Sequence, residues 1–134
     1  MIRYKLDYSQ NPGRRPSSYS YALREKSAPL VSIVTPVYNE KKIHLEELKN
    51  SILGQSFQQF EWLIVDDCST ETETVEFLTN LANADIRIHY IRHQRNMGLP
   101  TTRNTGINAS VTQFVVLIDS DDVLEPTSIE KMFW

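Results

Sequence analysis

The segment FVVLIDSDD, from Phe114 to Asp122, brings a short apolar run directly against a cluster of carboxylates. Five consecutive apolar residues, three of them β-branched, predict a strand that is buried on both faces of a sheet. Packing does not explain the aspartates that follow, because like charges repel and each carboxylate resists losing its hydration. A bound divalent cation would relieve both problems, since hard cations prefer carboxylate oxygens. The structural alternative is an acidic turn that caps a helix starting at Pro126.

Length and composition predict a single domain with a hydrophobic core. The chain has 134 residues, of which 40% are hydrophobic. No apolar run approaches the ~20 residues of a membrane span, and the N-terminus lacks the apolar core of a signal peptide. We therefore expect a cytoplasmic protein, with a peripheral position at the inner face of the membrane as a second option. Cys68 is the only cysteine, which excludes an internal disulfide and a cysteine-based zinc site.

Charge is distributed unevenly along the chain. Residues 1–29 contain six Lys or Arg and two Asp or Glu, whereas residues 30–134 contain eight and fifteen. The acidic body argues against nucleic acid as the main partner, because nucleic-acid phosphates require basic surfaces. It would also repel a phosphorylated substrate unless a cation or a local arginine intervened, which again favours a metal.

Hydrophobic periodicity predicts alternating strands and helices after residue 28. The predicted strands lie at 30–35, 61–65, 86–91 and 114–118. Helical crossovers between them predict a parallel sheet with right-handed connections. Residues 1–28 show neither helical nor strand periodicity. They are predicted to form a partly disordered arm or linker before a domain at 29–134.

Start and stop signals predict the boundaries of the helices. Thr70 and Glu73 have the spacing of a capping box and are predicted to start the second helix. Its predicted inner-face residues are Val75, Leu78 and Ala82, with Leu81 beside them. On the first helix, the predicted inner face is Leu45, Leu48 and Ile52. Prolines mark the end of the first strand and the starts of the third and fourth helices, at Pro36, Pro100 and Pro126.

The carboxyl ends of the predicted strands deliver polar and aromatic residues to one edge of the sheet. Open parallel sheets bind their ligands beyond this edge. The residues are Pro36, Tyr38 and Glu40 after the first strand, Asp66 and Asp67 after the second, His93 and 95–98 after the third, and Asp119, Asp121 and Asp122 after the fourth. Convergence of four strands predicts a ligand site more strongly than any single motif does.

Several of these side chains suit a nucleotide, and each also has a structural alternative. Tyr38 offers an aromatic face to a base, or merely covers the end of the strand. Asp67 could accept an N–H from a pyrimidine ring, and Asp66 could do likewise or cap the following turn. Arg103, on the third predicted helix, could bind phosphate with two hydrogen bonds or form a surface ion pair. The chain has no GxGxxG or Walker motif, so a dinucleotide or Walker-type site is not supported.

Five blocks of the chain together resemble the family 2 glycosyltransferases, whose fold is called GT-A. The blocks are PVYNE at 36–40, SILGQSF at 51–57, EWLIVDDCS at 61–69, NMG and RNTG within 96–106, and LIDSDD at 117–122. They occur in the family's order and cover residues 29–134. The resemblance implies a three-layer α/β/α domain with a parallel, Rossmann-like sheet in the strand order 3-2-1-4.

The resemblance also implies a function and a role for individual residues. Members transfer a sugar from a nucleotide-diphosphate donor, with a UDP-sugar favoured here, to the hydroxyl of a saccharide or other acceptor, commonly with inversion. By position, the nucleotide-binding residues are Pro36, Tyr38, Glu40, Asp66, Asp67, Arg103 and Asp119, and Asp121 with Asp119 holds Mn²⁺ or Mg²⁺. A cation there agrees with the chemistry, because the leaving diphosphate departs with negative charge.

No residue of the chain matches the family's catalytic base. In the family that base lies C-terminal to the DxD motif, in the half that shapes the acceptor site, and this chain ends at Trp134. We therefore expect the donor-binding half of an incomplete domain, inactive alone and able to self-associate through its C-terminal end. The alternative is a non-catalytic nucleotide-sugar-binding module.

Overall fold

Residues 2–3 and 28–133 are described in the computed structural model of the chain. Its strands are β1 (Ile2–Arg3), β2 (Val31–Val37), β3 (Phe60–Asp66), β4 (Ile88–Arg92) and β5 (Phe114–Leu117). Its helices are α1 (Lys42–Leu53), α2 (Thr72–Ala84), α3 (Leu99–Ala109) and α4 (Ser128–Phe133). The predicted arm therefore lies outside the described residues except at 2–3 and 28, and so does Trp134 at the predicted self-association surface.

The strands form one sheet in the order β1-β5-β2-β3-β4. Strands β5, β2, β3 and β4 are mutually parallel, and their arrangement confirms the predicted order 3-2-1-4. The short strand β1 adds an antiparallel edge, with Ile2 opposite Val115. Two residues cannot show an alternating pattern, so this edge was not predicted from the sequence.

Helices cover both faces of the sheet, which confirms the three-layer arrangement. Alternate residues of the central strands point to opposite faces, so Ile33 and Trp62 join one core cluster and Val34 and Leu63 join another. The first cluster also contains Leu45, Leu48 and Ile52 from α1, Leu78 and Leu81 from α2, and Ile129 from α4. The second contains Ile107 from α3. Each large apolar side chain buried in this way contributes roughly 1.5–3 kcal/mol of transfer free energy.

Helix α3 lies unusually close to the sheet at Gly106. A Cβ atom at this position would lie 2.3 Å from Val34 Cγ1 and 3.2 Å from Val65 Cγ2. Only glycine therefore allows the helix backbone to approach β2 and β3 this closely, and the approach places the N-terminus of α3 beside the carboxyl ends of these strands.

The prediction that the first strand stops at Pro36 was wrong, because β2 continues to Val37. Val34, two residues before Pro36, accepts a hydrogen bond from Ile118 N, so the backbone of Pro36 also faces the β5 side. Proline has no N–H to donate there. The ladder between β2 and β5 therefore ends at Val34 opposite Leu117, and the chain after β5 turns away from the sheet.

The predicted capping box at the start of α2 was also wrong. The helix begins at Thr72 and has no side-chain cap from its own sequence. Instead, Asn39 Oδ1 accepts hydrogen bonds from the backbone N–H groups of Thr70 and Glu71, at 2.8 and 3.0 Å. The amides before the helix are thus satisfied by a residue distant in sequence. The buried residues of α2 are Thr74, Leu78 and Leu81. Leu78 of the predicted inner face and the adjacent Leu81 are therefore confirmed as buried, whereas Val75 and Ala82 are only partly buried.

Two other boundaries differ from the prediction by two residues. Strand β4 starts at Ile88, and Ile86 is 79% exposed because Asp85 to Arg87 form the turn before the strand. Helix α4 starts at Ser128 instead of Pro126. Neither shift changes which strand ends reach the predicted site.

Candidate functional site

A cleft of about 380 Å³ lies at the carboxyl ends of the parallel strands. Six of the predicted site residues line it: Pro36, Tyr38, Glu40, Asp67, Asp119 and Asp121. The other lining residues are Val37, Asn96, Gly98, Leu99, Thr102 and Ser120. Two predicted site residues, Asp66 and Arg103, do not line the cleft.

Asp67 is a buried carboxylate at the inner end of this cleft, only 5% exposed. Its Oδ1 accepts hydrogen bonds from His93 Nδ1 and Met97 N, both at 2.8 Å, and its Oδ2 accepts one from Gly98 N at 2.9 Å. Burial raises the pKa of Asp67, but the hydrogen bonds from His93, Met97 and Gly98 outweigh burial and hold it below the ordinary value. Asp67 is therefore an ionised acceptor at neutral pH.

Asp66 has the structural role that the sequence left open as an alternative. It is the last residue of β3 and is fully buried. Its Oδ1 accepts a hydrogen bond from Ser69 N at 2.9 Å, and its Oδ2 accepts one from the hydroxyl of Tyr90. Burial and the bond to Asp66 raise the pKa of Tyr90. Asp66 therefore caps the turn after β3 and anchors β4, while the neighbouring Asp67 faces the cleft.

His93 connects Asp67 to helix α3. The His93 side chain is 8% exposed, and its Nε2 lies 2.8 Å from Thr105 Oγ1. Its backbone N–H donates to Asp66 O at 2.9 Å, which fixes the chain just beyond β4. Both ring nitrogens are thus engaged inside the protein.

Gly98 forms the N-terminal end of α3 with a backbone that only glycine adopts readily. Its φ is 90° and its ψ is 160°. This conformation directs Gly98 N to Asp67 and leaves Gly98 O to accept from both the backbone N–H and the hydroxyl of Thr102. The start of α3 is therefore built around the Asp67 carboxylate.

The acid loop, Asp119–Asp122, forms the opposite side of the cleft. Asp122 accepts a hydrogen bond from Asp119 N at 3.2 Å and donates its own backbone N–H to Asp119 O at 3.1 Å. Asp122 is thus used in closing the turn, whereas Asp121 makes no hydrogen bond or ion pair with any described residue. Asp121 therefore presents a carboxylate to the cleft that is available to a ligand.

Glu40 joins the loop after β2 to the acid loop. Its Oε2 accepts from Ser120 Oγ at 2.7 Å, and its Oε1 lies 2.6 Å from His44 Nδ1. Burial raises the pKa of Glu40, but the hydrogen bonds from Ser120, His44 and Lys41 N lower it by more. The pKa of Glu40 is therefore below its ordinary value. Glu40 therefore holds the acid loop in place as well as lining the cleft.

Arg103 forms an ion pair instead of projecting into the cleft. Its Nη2 lies 3.1 Å from Asp119 Oδ1, and both side chains are partly exposed. Its Nε is buried and has no partner among the described residues. The pair ties α3 to the acid loop, so the guanidinium contacts Asp119 instead of the cleft.

Sequence reasoning missed several residues that shape the cleft. His93 was noted only because it follows a predicted strand, and Asn39, Asn96 and Ser120 were assigned no role. Asn39 has a positive φ of 49°, a conformation that Asn tolerates better than most residues. That preference was a usable signal for a special turn, whereas the contacts of His93 and Ser120 depend on tertiary structure alone.

The described residues contain neither a metal-ligand cluster nor a membrane-spanning helix. Within residues 2–3 and 28–133, no group of three or more His, Cys, Asp or Glu side chains is placed to hold a metal. Among these residues, the acid loop thus offers fewer than three such ligands to one metal ion. In the same part of the chain, no helix has the length and apolar character needed to cross a membrane.

The chain belongs to the glycosyl transferase family 2, whose family model matches residues 32–133. The matched range includes every residue that lines the cleft. The fold is thus that of a GT-A nucleotide-diphospho-sugar transferase domain, as the resemblance implied.

Relatives of the chain carry glycosyltransferase names. The putative teichuronic acid biosynthesis glycosyltransferase TuaG of Bacillus subtilis is 37% identical over 103 residues, which is 77% of this chain and 40% of TuaG. An uncharacterized glycosyltransferase of Methanocaldococcus jannaschii is 33% identical over 109 residues, 81% of this chain and 38% of the relative. The chain thus spans less than half the length of either relative.

A solved structure with a similar fold is that of residues 1–349 of TarS from S. aureus. The crystal structure in complex with UDP matches with a TM-score of 0.69 and 29% identity, over 78% of this chain and 31% of TarS 1–349. A second TarS structure, with the same TM-score, is in complex with UDP-GlcNAc.

Proposed function

We propose that this chain provides the donor site of an enzyme that transfers a sugar from a UDP-sugar to an acceptor hydroxyl. Family membership supports the reaction class. The UDP and UDP-GlcNAc complexes of TarS support a uridine nucleotide as the donor group. The proposal also includes inversion at the sugar, a saccharide or other hydroxyl acceptor, and a catalytic base beyond Trp134. The cytoplasmic location and the self-association stay predictions.

One observation carries the proposal: Asp67, an ionised acceptor, lines the same cleft as Asp121, a carboxylate with no partner among the described residues. A uracil ring presents one N–H donor, at N3, and a buried carboxylate is a strong acceptor for it. Tyr38, which is 52% exposed, lines the cleft between these groups and offers its ring to the base. The diphosphate would then extend toward the acid loop.

The acid loop fits a divalent cation of the kind that binds with one or two carboxylates together with phosphate oxygens and water. Asp121 would be the principal ligand, and Asp119 would lie nearer the ribose, while Asp122 is used in the turn. Mn²⁺ or Mg²⁺ held there would stabilise the negative charge of the departing diphosphate. Glu40 would hold the acid loop in position through its hydrogen bond from Ser120.

Isothermal titration of UDP and Mn²⁺, separately and together, tests this proposal. We expect each to bind weakly alone and UDP to bind about tenfold or more tightly with Mn²⁺, because the described residues place fewer than three such protein ligands at the acid loop. Asp121→Asn should remove the gain from Mn²⁺. Asp122→Asn is the matched control, since an amide oxygen still accepts from Asp119 N, and it should keep the gain. No binding of UDP, or loss of the gain in Asp122→Asn but not in Asp121→Asn, would contradict the proposal.

A further inference from the structure

His93 is a buried side chain that reaches the candidate base site without lining the cleft. It follows β4, and its ring bridges Asp67 Oδ1 and Thr105 Oγ1 at 2.8 Å on each side. Thr105 lies on α3, so the ring is held between the strand edge and the helix. The side chain is only 8% exposed, and a ligand in the cleft would meet Asp67 rather than His93.

The hydrogen bonds of Asp67 are divided unequally between its two oxygens. Each carboxylate oxygen has two lone pairs in the plane of the group. Oδ1 uses both, for His93 Nδ1 and Met97 N, whereas Oδ2 uses one, for Gly98 N. Among the described residues, nothing else donates to Oδ2. One acceptor position is thus left on the carboxylate, and it is on Oδ2.

A single free acceptor position discriminates between bases. Uracil offers one N–H donor between two carbonyl groups, and one acceptor satisfies it. Guanine offers two neighbouring donors, its ring N–H and its amino group, which pair best with both oxygens of one carboxylate. With Oδ1 filled by His93 and Met97, Asp67 cannot make that second bond, and a buried guanine amino group would lose its hydrogen bond to water.

We infer that His93 is a positioning residue that fixes the rotation of Asp67 and fills Oδ1, so that the site accepts uracil and rejects guanine. This inference rests on the proposed function, because it assigns a determinant of base selectivity to the same cleft. His93 acts only through Asp67. Its removal frees one acceptor position on Oδ1 and leaves the carboxylate held only by Met97 N and Gly98 N.

The test compares UDP, GDP and N3-methyl-UDP, in the presence of Mn²⁺, on the wild-type protein and on His93 variants. His93→Phe keeps a ring but removes both hydrogen bonds, and His93→Asn restores a donor near the position of Nδ1. For the wild type, we expect UDP to bind about tenfold or more tightly than N3-methyl-UDP, as for loss of one hydrogen bond to a charged group. In His93→Phe the preference for UDP over GDP should fall toward one, because the freed position on Oδ1 accepts the second guanine donor. The preference for UDP over N3-methyl-UDP should fall less, because Oδ2 keeps its free acceptor position. His93→Asn should restore most of both ratios.

A second variant keeps the test decisive if His93→Phe does not fold, as judged by circular dichroism. Thr105→Val removes the partner of His93 Nε2 and leaves the bond to Asp67, so it should reduce both ratios partially. Weakening of UDP and GDP by the same factor in the variants would show a merely structural role and overturn the inference while the proposed function stands. Failure of the wild type to bind UDP would overturn the proposed function itself.

Discussion

At the scale of single residues, the site depends on which of two adjacent aspartates faces the cleft. Asp66 and Asp67 follow the same strand, and neighbouring side chains of an extended chain point in opposite directions. The carboxylate of Asp66 accepts hydrogen bonds from Ser69 N and the Tyr90 hydroxyl, whereas Asp67 keeps one acceptor position beside the cleft. The sequence showed the pair but not the division of roles, because Tyr90 and Gly98 come from later parts of the chain.

Asp67 should also make stability depend on pH in the acid range. The folded-state pKa of Asp67 is below the ordinary value of 3.8, so the unfolded state binds the proton more strongly. The stabilisation from the ionised form is therefore fully present above pH ~4 and is lost as the pH falls through the folded-state pKa. Urea unfolding of the wild type and Asp67→Asn between pH 7 and pH 3 measures this. The difference in free energy of unfolding should shrink toward the acid end, and a difference independent of pH would contradict the assignment.

Substitution of Gly98 tests whether the backbone conformation at the start of α3 contributes to stability and to UDP binding. A Cβ at this position meets no atom within 4 Å, yet a φ of 90° is strained for any L side chain. Gly98→Ala should therefore destabilise the fold by roughly 1–3 kcal/mol through backbone strain. It should also weaken UDP binding, because Gly98 N would shift away from Asp67. Unchanged stability and binding would show that the strain is absent.

At the scale of elements, the packing of α3 on the sheet sets the depth of the cleft. Helix α3 carries Gly98 and Thr102 at one end and Gly106 against β2 and β3 in its middle. Its distance from the sheet therefore decides how closely Asp67 and the start of the helix approach each other.

Gly106→Ala should destabilise the protein by about 1–3 kcal/mol, because the new methyl group would overlap Val34 and force the helix outward. Thermal or urea unfolding measures the loss. Val34→Ala makes room for that methyl group, so the double variant should lose less than the sum of the two single variants. Simple additivity would indicate that the close approach at Val34 is not the cause.

Element types were predictable from local pattern, and the exceptions had distant causes. Leu45, Leu48 and Ile52 follow one face of a helix, and this periodicity holds without knowledge of the rest of the chain. The capping prediction at Thr70 was wrong because Asn39, on another loop, binds the same amides. The prediction that the strand stops at Pro36 was wrong because the missing N–H of proline faces β5. The pairing of β2 with β3 does not need that N–H and continues to Val37.

At the scale of the whole molecule, the strand order brings four loops to one edge, and that much follows from the sequence. The order 3-2-1-4 places β2 beside both β3 and β5, so Tyr38, Asp67 and Asp121 converge on one cleft. The links that hold these loops together were not predictable, since Glu40 to Ser120 and Arg103 to Asp119 join residues far apart in sequence. Long side chains at such positions can reach several partners.

A crystal structure of the protein with UDP and Mn²⁺ is the most direct test of the proposed donor site. We expect the uracil ring beside Tyr38, with its N3 at hydrogen-bond distance, about 2.7–3.2 Å, from Asp67 Oδ2. We also expect the cation between the diphosphate and Asp121. A nucleotide bound outside this cleft, or a uracil whose N3 points away from Asp67, would contradict the proposed site.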